Sequence, residues 1–179
     1  MRLTKKSEEV YLATGPIAML GQDDIQLLRQ GAANSPRGRV RINAHPSEDD
    51  TLHEMFIAIR RDSYIRPHLH PGKSEAFHIV QGVVDIVVFN EDGSVREVVP
   101  LGDGYSGRAF YYRMSQPFFH TLLIRSDILI VHEITNGPFV RGGTRFAPFA
   151  PEESDAGGIA DYWRQLLSQV APFIEGFGS

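Results

Sequence analysis

Three residues of metal-ligand type stand close together in the sequence, and a fourth follows much later. The close group is His68, His70 and Glu75, and the later residue is His120. In a β-strand, alternate side chains point to the same face, so the first two imidazoles would lie side by side. A Pro-Gly turn follows, and Glu75 would begin the neighbouring strand of a hairpin. Two ring nitrogens and a carboxylate oxygen in one place suit a divalent transition metal.

A His-x-His pair on its own has a simpler explanation, in which two turn or surface histidines share no partner. Glu75, the turn residue Gly82 and the β-rich context favour a metal site instead. A closing barrel would bring His120 to the same point as a fourth ligand. We therefore predict one divalent transition metal, and Fe, Mn, Zn, Ni and Co all suit three nitrogens and one oxygen.

Three further residues are candidates for catalysis at such a site. Glu133 lies on the last predicted strand, where it would be either a pocket acid or base or an outward carboxylate. Arg66 would share the face of the first ligand, where it could meet an anionic substrate or remain a solvated cation at the sheet rim. One of Tyr111 and Tyr112 should face inward, either to pack the barrel or to donate a proton, and Tyr111 is the catalytic candidate.

Asn43, His45 and Phe77 are candidates for substrate binding. The first two precede the barrel and would fold over the mouth of the pocket, unless they only tie the N-terminal arm to the barrel. Phe77 shares a face with Glu75 and would line the site. His78, three positions after Glu75, should face outward and is not expected to be a ligand.

Composition excludes several classes of protein. The chain has 179 residues, no cysteine and a net charge of -4. Disulfides, thiolate ligands and cysteine nucleophiles are therefore excluded, and the composition fits a reducing cytoplasm. The sequence has no Lys/Arg run suited to nucleic acid and no apolar run of the roughly 20 residues that cross a membrane. It also shows no signal-peptide pattern.

The elements that would position these residues are mainly short strands. Eight β-rich runs between turn residues predict an all-β jelly roll or small closed barrel, at 54–60, 64–70, 75–81, 83–89, 95–101, 109–113, 118–125 and 128–135. A short helix is expected near Ile25 and Leu28, capped by Asp23 or Asp24, and an amphipathic helix is expected from about Ile159. We predict one domain, with an arm and helix at 1–51, a barrel at 52–138 and a C-terminal arm and helix at 139–179.

The pattern of these residues resembles the cupin superfamily. His68, His70, Glu75 and Gly82 match the first cupin motif at every spacing, and 117–120 resembles a reduced second motif. That second motif departs from the usual form, with Phe118 in place of glycine and Ile124 in place of asparagine. The resemblance implies a double-stranded β-helix, or jelly roll, that binds one divalent metal through three histidines and one glutamate.

A closer resemblance is to the WbuC-type cupin metalloproteins, and it extends over about 21–153. The segments that carry it are Ser35-Pro36-Arg37, Asn43-Ala44-His45-Pro46, residues 66–71, Phe119-His120-Thr121, Asn136-Gly137-Pro138 and residues 146–153. This resemblance implies a fold and a metal more firmly than an activity. The family name associates it with bacterial surface-polysaccharide gene clusters.

Three functions fit such a chain. The first is a metal-dependent enzyme acting on a small oxygen-rich molecule, such as the isomerisation or epimerisation of a sugar or sugar nucleotide. The second is a non-catalytic module that binds a small molecule through its metal, and the third is an Fe(II)-dependent dioxygenase. A purely structural metal is the weakest interpretation, because a domain with a good core does not need one. The arm and the amphipathic C-terminal helix predict a homodimer.

Overall fold

The computed structural model describes residues 2–175, which form twelve strands and two helices. The strands are β1 Arg2–Ser7, β2 Val10–Thr14, β3 Arg39–Asn43, β4 Leu52–Arg60, β5 His68–Leu69, β6 Glu75–Gln81, β7 Val83–Phe89, β8 Val95–Gly102, β9 Tyr111–Met114, β10 Phe119–Ile124, β11 Ile128–Asn136 and β12 Arg145–Phe146. The helices are α1 Gln22–Asn34 and α2 Ala156–Glu175.

The strands form two sheets that face each other. The larger sheet has the order β1-β2-β3-β4-β11-β6-β9, and the smaller sheet has the order β12-β5-β10-β7-β8. The chain crosses between the sheets after β4, β5, β6, β8, β9, β10 and β11, as in a jelly roll. The all-β prediction with a helix at each end is thus confirmed, as two facing sheets and not one closed ring of strands.

Three apolar clusters hold these layers together. The largest lies between the sheets and contains Phe77, Ile86 and Leu122. A second cluster packs α2 against the outer face of the smaller sheet through Leu166 and Val170. A third packs α1 against the outer face of the larger sheet. Because helices cover both outer faces, the interior between the sheets does not have to supply all of the core.

The segment before the barrel is more regular than its sequence suggests. Arg39–Asn43 forms β3, which pairs with β2 and β4 inside the larger sheet. The predicted cap of α1 is wrong in detail: Gly21 is the N-cap, and the Asp24 carboxylate accepts a hydrogen bond from the Gly21 amide at 2.9 Å. The alternation of Val40 and Ile42 toward α1 is the signal that could have indicated a strand.

The turn between β6 and β7 requires glycine. Gly82 has φ +92°, and a Cβ there would lie 2.5 Å from the Ile128 carbonyl oxygen and closer still to the Ser126 hydroxyl. We expect Gly82→Ala to lower the free energy of unfolding by about 3 kcal/mol, from left-handed backbone strain and steric overlap together. Urea denaturation measures this. Gly72→Ala is the control, because Gly72 has φ +72° but open space around it, so it should cost only about 1 kcal/mol. Equal losses would contradict the steric argument.

Candidate metal centre

The first two candidate ligands come from a very short strand. β5 contains only His68 and Leu69, and Leu69 packs outward against α2 and its neighbours. His68 and His70 therefore point to the interior, as strand alternation requires. Their ring centroids lie 5.0 Å apart.

Glu75 does not reach these histidines through a hairpin. β5 belongs to the smaller sheet and β6 to the larger one, so the turn at Pro71 and Gly72 carries the chain from one sheet to the other. The predicted hairpin is therefore wrong, but its consequence holds. Glu75 begins β6 on the inner face of the larger sheet, and its Oε2 lies 3.6 Å from Nε2 of His70.

His120 arrives through direct strand pairing. β10 pairs with β5 so that His120 stands opposite His68, and their ring centroids are 4.7 Å apart. Nε2 of His120 lies 3.1 Å from Oε1 of Glu75. Both side chains are buried, at 1% and 4% exposure. The structure thus brings the four predicted residues, His68, His70, Glu75 and His120, into one cluster between the sheets.

Backbone carbonyls fix the tautomers of two of these imidazoles. Nδ1 of His68 lies 2.8 Å from the Arg66 carbonyl oxygen, and Nδ1 of His120 lies 3.0 Å from the Phe118 carbonyl oxygen. A carbonyl only accepts hydrogen bonds, so each Nδ1 must carry the proton. In the neutral ring, Nε2 is then left as a lone pair. This is the arrangement by which outer hydrogen bonds orient histidine ligands of metals.

His70 is held by a weaker contact. Its Nδ1 lies 3.3 Å from the Thr144 hydroxyl, which belongs to the segment between β11 and β12. Nε2 of His70 consequently faces Glu75, as Nε2 of His120 does.

In this geometry, hydrogen-bond acceptors face each other without a donor between them. Nε2 of neutral His120 and Oε1 of Glu75 both carry lone pairs, and Nε2 makes no hydrogen bond despite their 3.1 Å separation. The Tyr112 hydroxyl donates to the same Oε1 at 3.2 Å. A buried polar atom without a partner is costly, and a cation between these groups would remove that cost. That cation is either a proton or a metal.

The pKa shifts of these four residues reflect the same close contact between buried polar groups. Burial alone would raise the pKa of Glu75, but His120 and the other two histidines lower it to about 2. Burial lowers the pKa of His68 to about 3, and burial also lowers the pKa of His70. For His120, burial is outweighed by the Glu75 charge, and its pKa is raised. A carboxylate and two neutral imidazoles at ordinary pH are the protonation states that metal ligation needs.

The donor types therefore fit a divalent metal. The donor atoms are clustered, but they are not arranged around a common centre. Within residues 2–175, no three His, Asp or Glu side chains have the arrangement of a complete metal site. The ring centroids of His70 and His120 are still 6.4 Å apart. The orphaned Nε2 of His120 is the observation that the fit depends on.

Two cavities meet at this cluster. The larger, of about 330 Å³, contains all four residues and is walled by apolar side chains such as Ile57, Ile65 and Leu122. The smaller, of about 220 Å³, is lined mostly by polar residues that include Asn43 and His45. Arg41, Glu133 and His70 line both cavities. The larger volume is at the lower end of the range of about 300–1,000 Å³ found for small-molecule sites.

Glu133 and Phe77 lie on the inner face of the larger sheet. They stand opposite each other in the β11–β6 pair, so the inward alternative for Glu133 is the correct one. Burial raises the pKa of the Glu133 carboxyl to about 8, and the Glu75 charge adds to this. Glu133 is thus a partly buried acid whose pKa lies near neutral pH, which suits a group that accepts or donates protons.

Two catalytic candidates are placed elsewhere. Tyr111 is 48% exposed on the outer face, and Tyr112 faces the interior opposite Phe77, so the choice of Tyr111 is wrong. The Arg66 guanidinium lies over the Phe146 ring and outside both cavity linings, so its predicted position beside the ligands is also wrong. Only its backbone carbonyl serves the site, through His68.

Asn43 and His45 line the smaller cavity. Asn43 is buried, and its Oδ1 has no hydrogen-bond partner within the described residues. His45 stacks on His53 with ring centroids 4.1 Å apart, and its Nδ1 lies 3.1 Å from the carbonyl oxygen and 3.2 Å from the amide nitrogen of Glu54. His45 therefore also ties the arm to the sheet, so the two alternatives for it are not exclusive.

Sequence reasoning missed Arg41 and His53 as site residues and chose Tyr111 in place of Tyr112. Each requires strand register to be recognised. Arg41 stands opposite Ile57 in the β3–β4 pair, and that pairing turns it toward the cavities. The alternation of arginines with Val40 and Ile42 is the signal that could have identified it.

Comparison with solved structures defines the class of fold. A protein of Shewanella oneidensis, SO0799, is 13% identical, with a TM-score of 0.53 over 80% of this chain and 93% of that chain. An oxalate oxidase in complex with the substrate analogue glycolate is 13% identical, with a TM-score of 0.49 over 82% and 76% of the two chains. The similarity to SO0799, together with the two-sheet topology, shows an all-β jelly-roll fold. Identities this low show the fold alone.

A weaker similarity covers only part of a larger protein. The oxalate decarboxylase of Lactobacillus farciminis, in its formate complex, is 19% identical with a TM-score of 0.43, and the match covers 54% of this chain and 27% of that chain. A family described as a domain of unknown function, DUF6016, matches residues 20–101, which include His68, His70 and Glu75. None of the curated proteins matches the chain.

Neither helix within residues 2–175 combines the length and the apolar character needed to cross a membrane.

The raised pKa of Glu133 predicts a pH-dependent change in stability. The Glu133 carboxyl has a pKa of about 8 in the folded state and an ordinary value of 4.5, so between these pH values it is protonated when folded and ionised when unfolded. The free energy of unfolding therefore falls as pH rises from about 4.5 to 8. We expect Glu133→Gln to remove this loss, so that the variant gains stability relative to the unsubstituted protein across this range. Urea denaturation in a metal chelator at several pH values measures the difference. A difference independent of pH would contradict the raised pKa.

Proposed function

We propose that the protein is a metal-dependent cupin enzyme that acts on a small oxygen-rich molecule. One divalent transition metal would be held by His68, His70, Glu75 and His120. The observation that supports this most directly is the buried His120 Nε2 lone pair facing the Glu75 carboxylate at 3.1 Å without a hydrogen bond. When bound, such a metal would polarise a hydroxyl or carbonyl oxygen of the ligand as a Lewis acid.

The chain's own residues supply the other requirements of such a reaction. Glu133 stands on the wall shared by the two cavities and can take or return a proton. The Tyr112 hydroxyl, donating to Glu75 at 3.2 Å, holds that carboxylate in place. Phe77 and the apolar part of the wall of the larger cavity lower the local polarity, which would strengthen electrostatic interactions at the site.

The substrate that we propose is a sugar or sugar derivative, with isomerisation or epimerisation as the reaction. The cavity of about 330 Å³ suits a molecule of the size of one sugar ring, and a nucleotide group would extend through the smaller polar cavity or beyond it. The WbuC-type resemblance supports a role in polysaccharide biosynthesis. A homodimer in the cytoplasm remains a prediction from the sequence.

Metal content tests the first part of this proposal. We expect purified protein to carry near one equivalent of a transition metal by elemental analysis, and chelation to lower its melting temperature, because a ligand that binds only the folded state stabilises it. His70→Ala and Glu75→Gln should lose most of the metal. His78→Ala is the matched control, since His78 is exposed on the opposite face of β6 and should keep the metal. Equal metal loss in all three variants, or none in any, would contradict the assignment.

Proton transfer tests the second part. In deuterated water, we expect the metal-loaded protein to exchange carbon-bound hydrogen of D-glucose, D-glucose 6-phosphate or UDP-glucose, followed by NMR. Glu133→Gln should slow this exchange by about 10²- to 10⁴-fold, the usual contribution of a general acid or base.

Glu54→Gln is the control for that experiment, because Glu54 lies on the same sheet and contacts His132 on its outer face. It should leave exchange unchanged. Binding of these sugars without exchange would favour the non-catalytic module. Oxygen consumption by the iron-loaded protein with any of them would favour the dioxygenase.

A further inference from the structure

Three arginines line the larger cavity from one side, and two of them are neutralised. Arg37 lies 3.1 Å from Glu9 and 3.2 Å from Glu153. Arg39 lies 2.7 Å from the same Glu153. These two cations hold the N-terminal and C-terminal arms against β3, so their charges already have protein partners.

Arg41 is the third, and it has no such partner. Within residues 2–175, no carboxylate oxygen lies within 4.0 Å of its guanidinium, and its buried Nε makes no hydrogen bond. A cation partly withdrawn from water without a counter-charge is unfavourable. The Arg41 guanidinium is therefore a positive charge with which an anionic ligand can pair.

The position of Arg41 relates that charge to the proposed metal. It stands opposite Ile57, whose β11 neighbour is Val131, and the next inward row of the sheet contains Met55 and Glu133. Arg41 also lines both cavities together with His70. A ligand at the cluster that extends along this wall would thus meet the guanidinium.

We propose that the substrate is an anion, and that Arg41 binds its carboxylate or phosphate group while another oxygen of the same molecule lies at the histidine cluster. The position of that second oxygen at the histidine cluster rests on the proposed function. The planar guanidinium can offer two parallel N–H donors, which match either anion. Arg41 is then the residue that selects acidic over uncharged molecules. The alternative is that Arg41 acts only as a distant counter-charge to Glu133.

The test measures ligand affinity and metal content separately. Isothermal titration of metal-loaded protein with inorganic phosphate, D-glucose 6-phosphate, D-gluconate and uncharged D-glucose distinguishes phosphate, carboxylate and neutral ligands. We expect at least one anion to bind more tightly than glucose. Arg41→Gln should weaken that anion by about 10- to 100-fold without change in metal content, the usual cost of losing a charge-assisted bidentate contact. Arg41→Lys keeps the charge but not the two parallel N–H donors, so its anion affinity should be intermediate.

Arg164→Gln is the matched control. It removes one positive charge from the exposed face of α2, where Arg164 pairs with Asp161 at 3.0 Å, and should leave anion affinity unchanged. Equal anion affinity in Arg41→Gln and the unsubstituted protein would overturn the proposal, and so would preference for glucose or failure of all four probes to bind. Loss of anion affinity in Arg41→Gln, when no transition metal is found in any sample, would contradict the proposed function and leave the anion assignment standing.

Discussion

The contact between Glu75 and His120 is the constraint around which the interior is organised. A buried carboxylate faces an imidazole nitrogen whose proton has been fixed on the far side of the ring by the Phe118 carbonyl. Removing both groups from water costs several kcal/mol, and that cost is offset only when a cation joins them. Without such a cation, the ionised Glu75 carboxylate and the lone pair on Nε2 of His120 form an unfavourable buried pair. A proton or a metal between these two groups would remove that cost.

Such a site requires a fold that tolerates it. The two sheets face each other across the cluster, so each presents its ligands without being interrupted: His68 and His120 come from one sheet and Glu75 from the other. The apolar rows behind them, around Ile86 and Leu122, form the largest buried cluster. The outer faces are covered by α1 and α2, which add further burial. Packing outside the site thus offsets the cost of polar groups within it.

The sequence was sufficient for elements whose pattern is local. The strands at 75–81 and 83–89 have the predicted bounds, because Gly82, with its positive φ, separates them and the turn at 90–93 follows the second. Arg66 was misplaced because Pro67 has no amide hydrogen and β5 begins only at His68, so alternation does not extend backward to it. Tyr111 was misplaced because the phase of β9 is set by its pairing with β6, which a single strand does not reveal.

The same limit explains why the four ligand candidates were easier to find than the residues that serve them. Spacing along one chain relates His68, His70 and Glu75, but only the pairing of distant strands relates Arg41, Glu133 and Tyr112 to them. Those three residues come from β3, β11 and β9 of the larger sheet, whereas two of the histidines come from β5 and β10 of the smaller one. One sheet thus supplies most of the imidazoles, and the other supplies the carboxylates, the phenol and the Arg41 guanidinium. A molecule bound between the sheets would therefore contact the charged and proton-transferring residues on the larger sheet. One of its oxygens would lie beside the histidines of the smaller sheet.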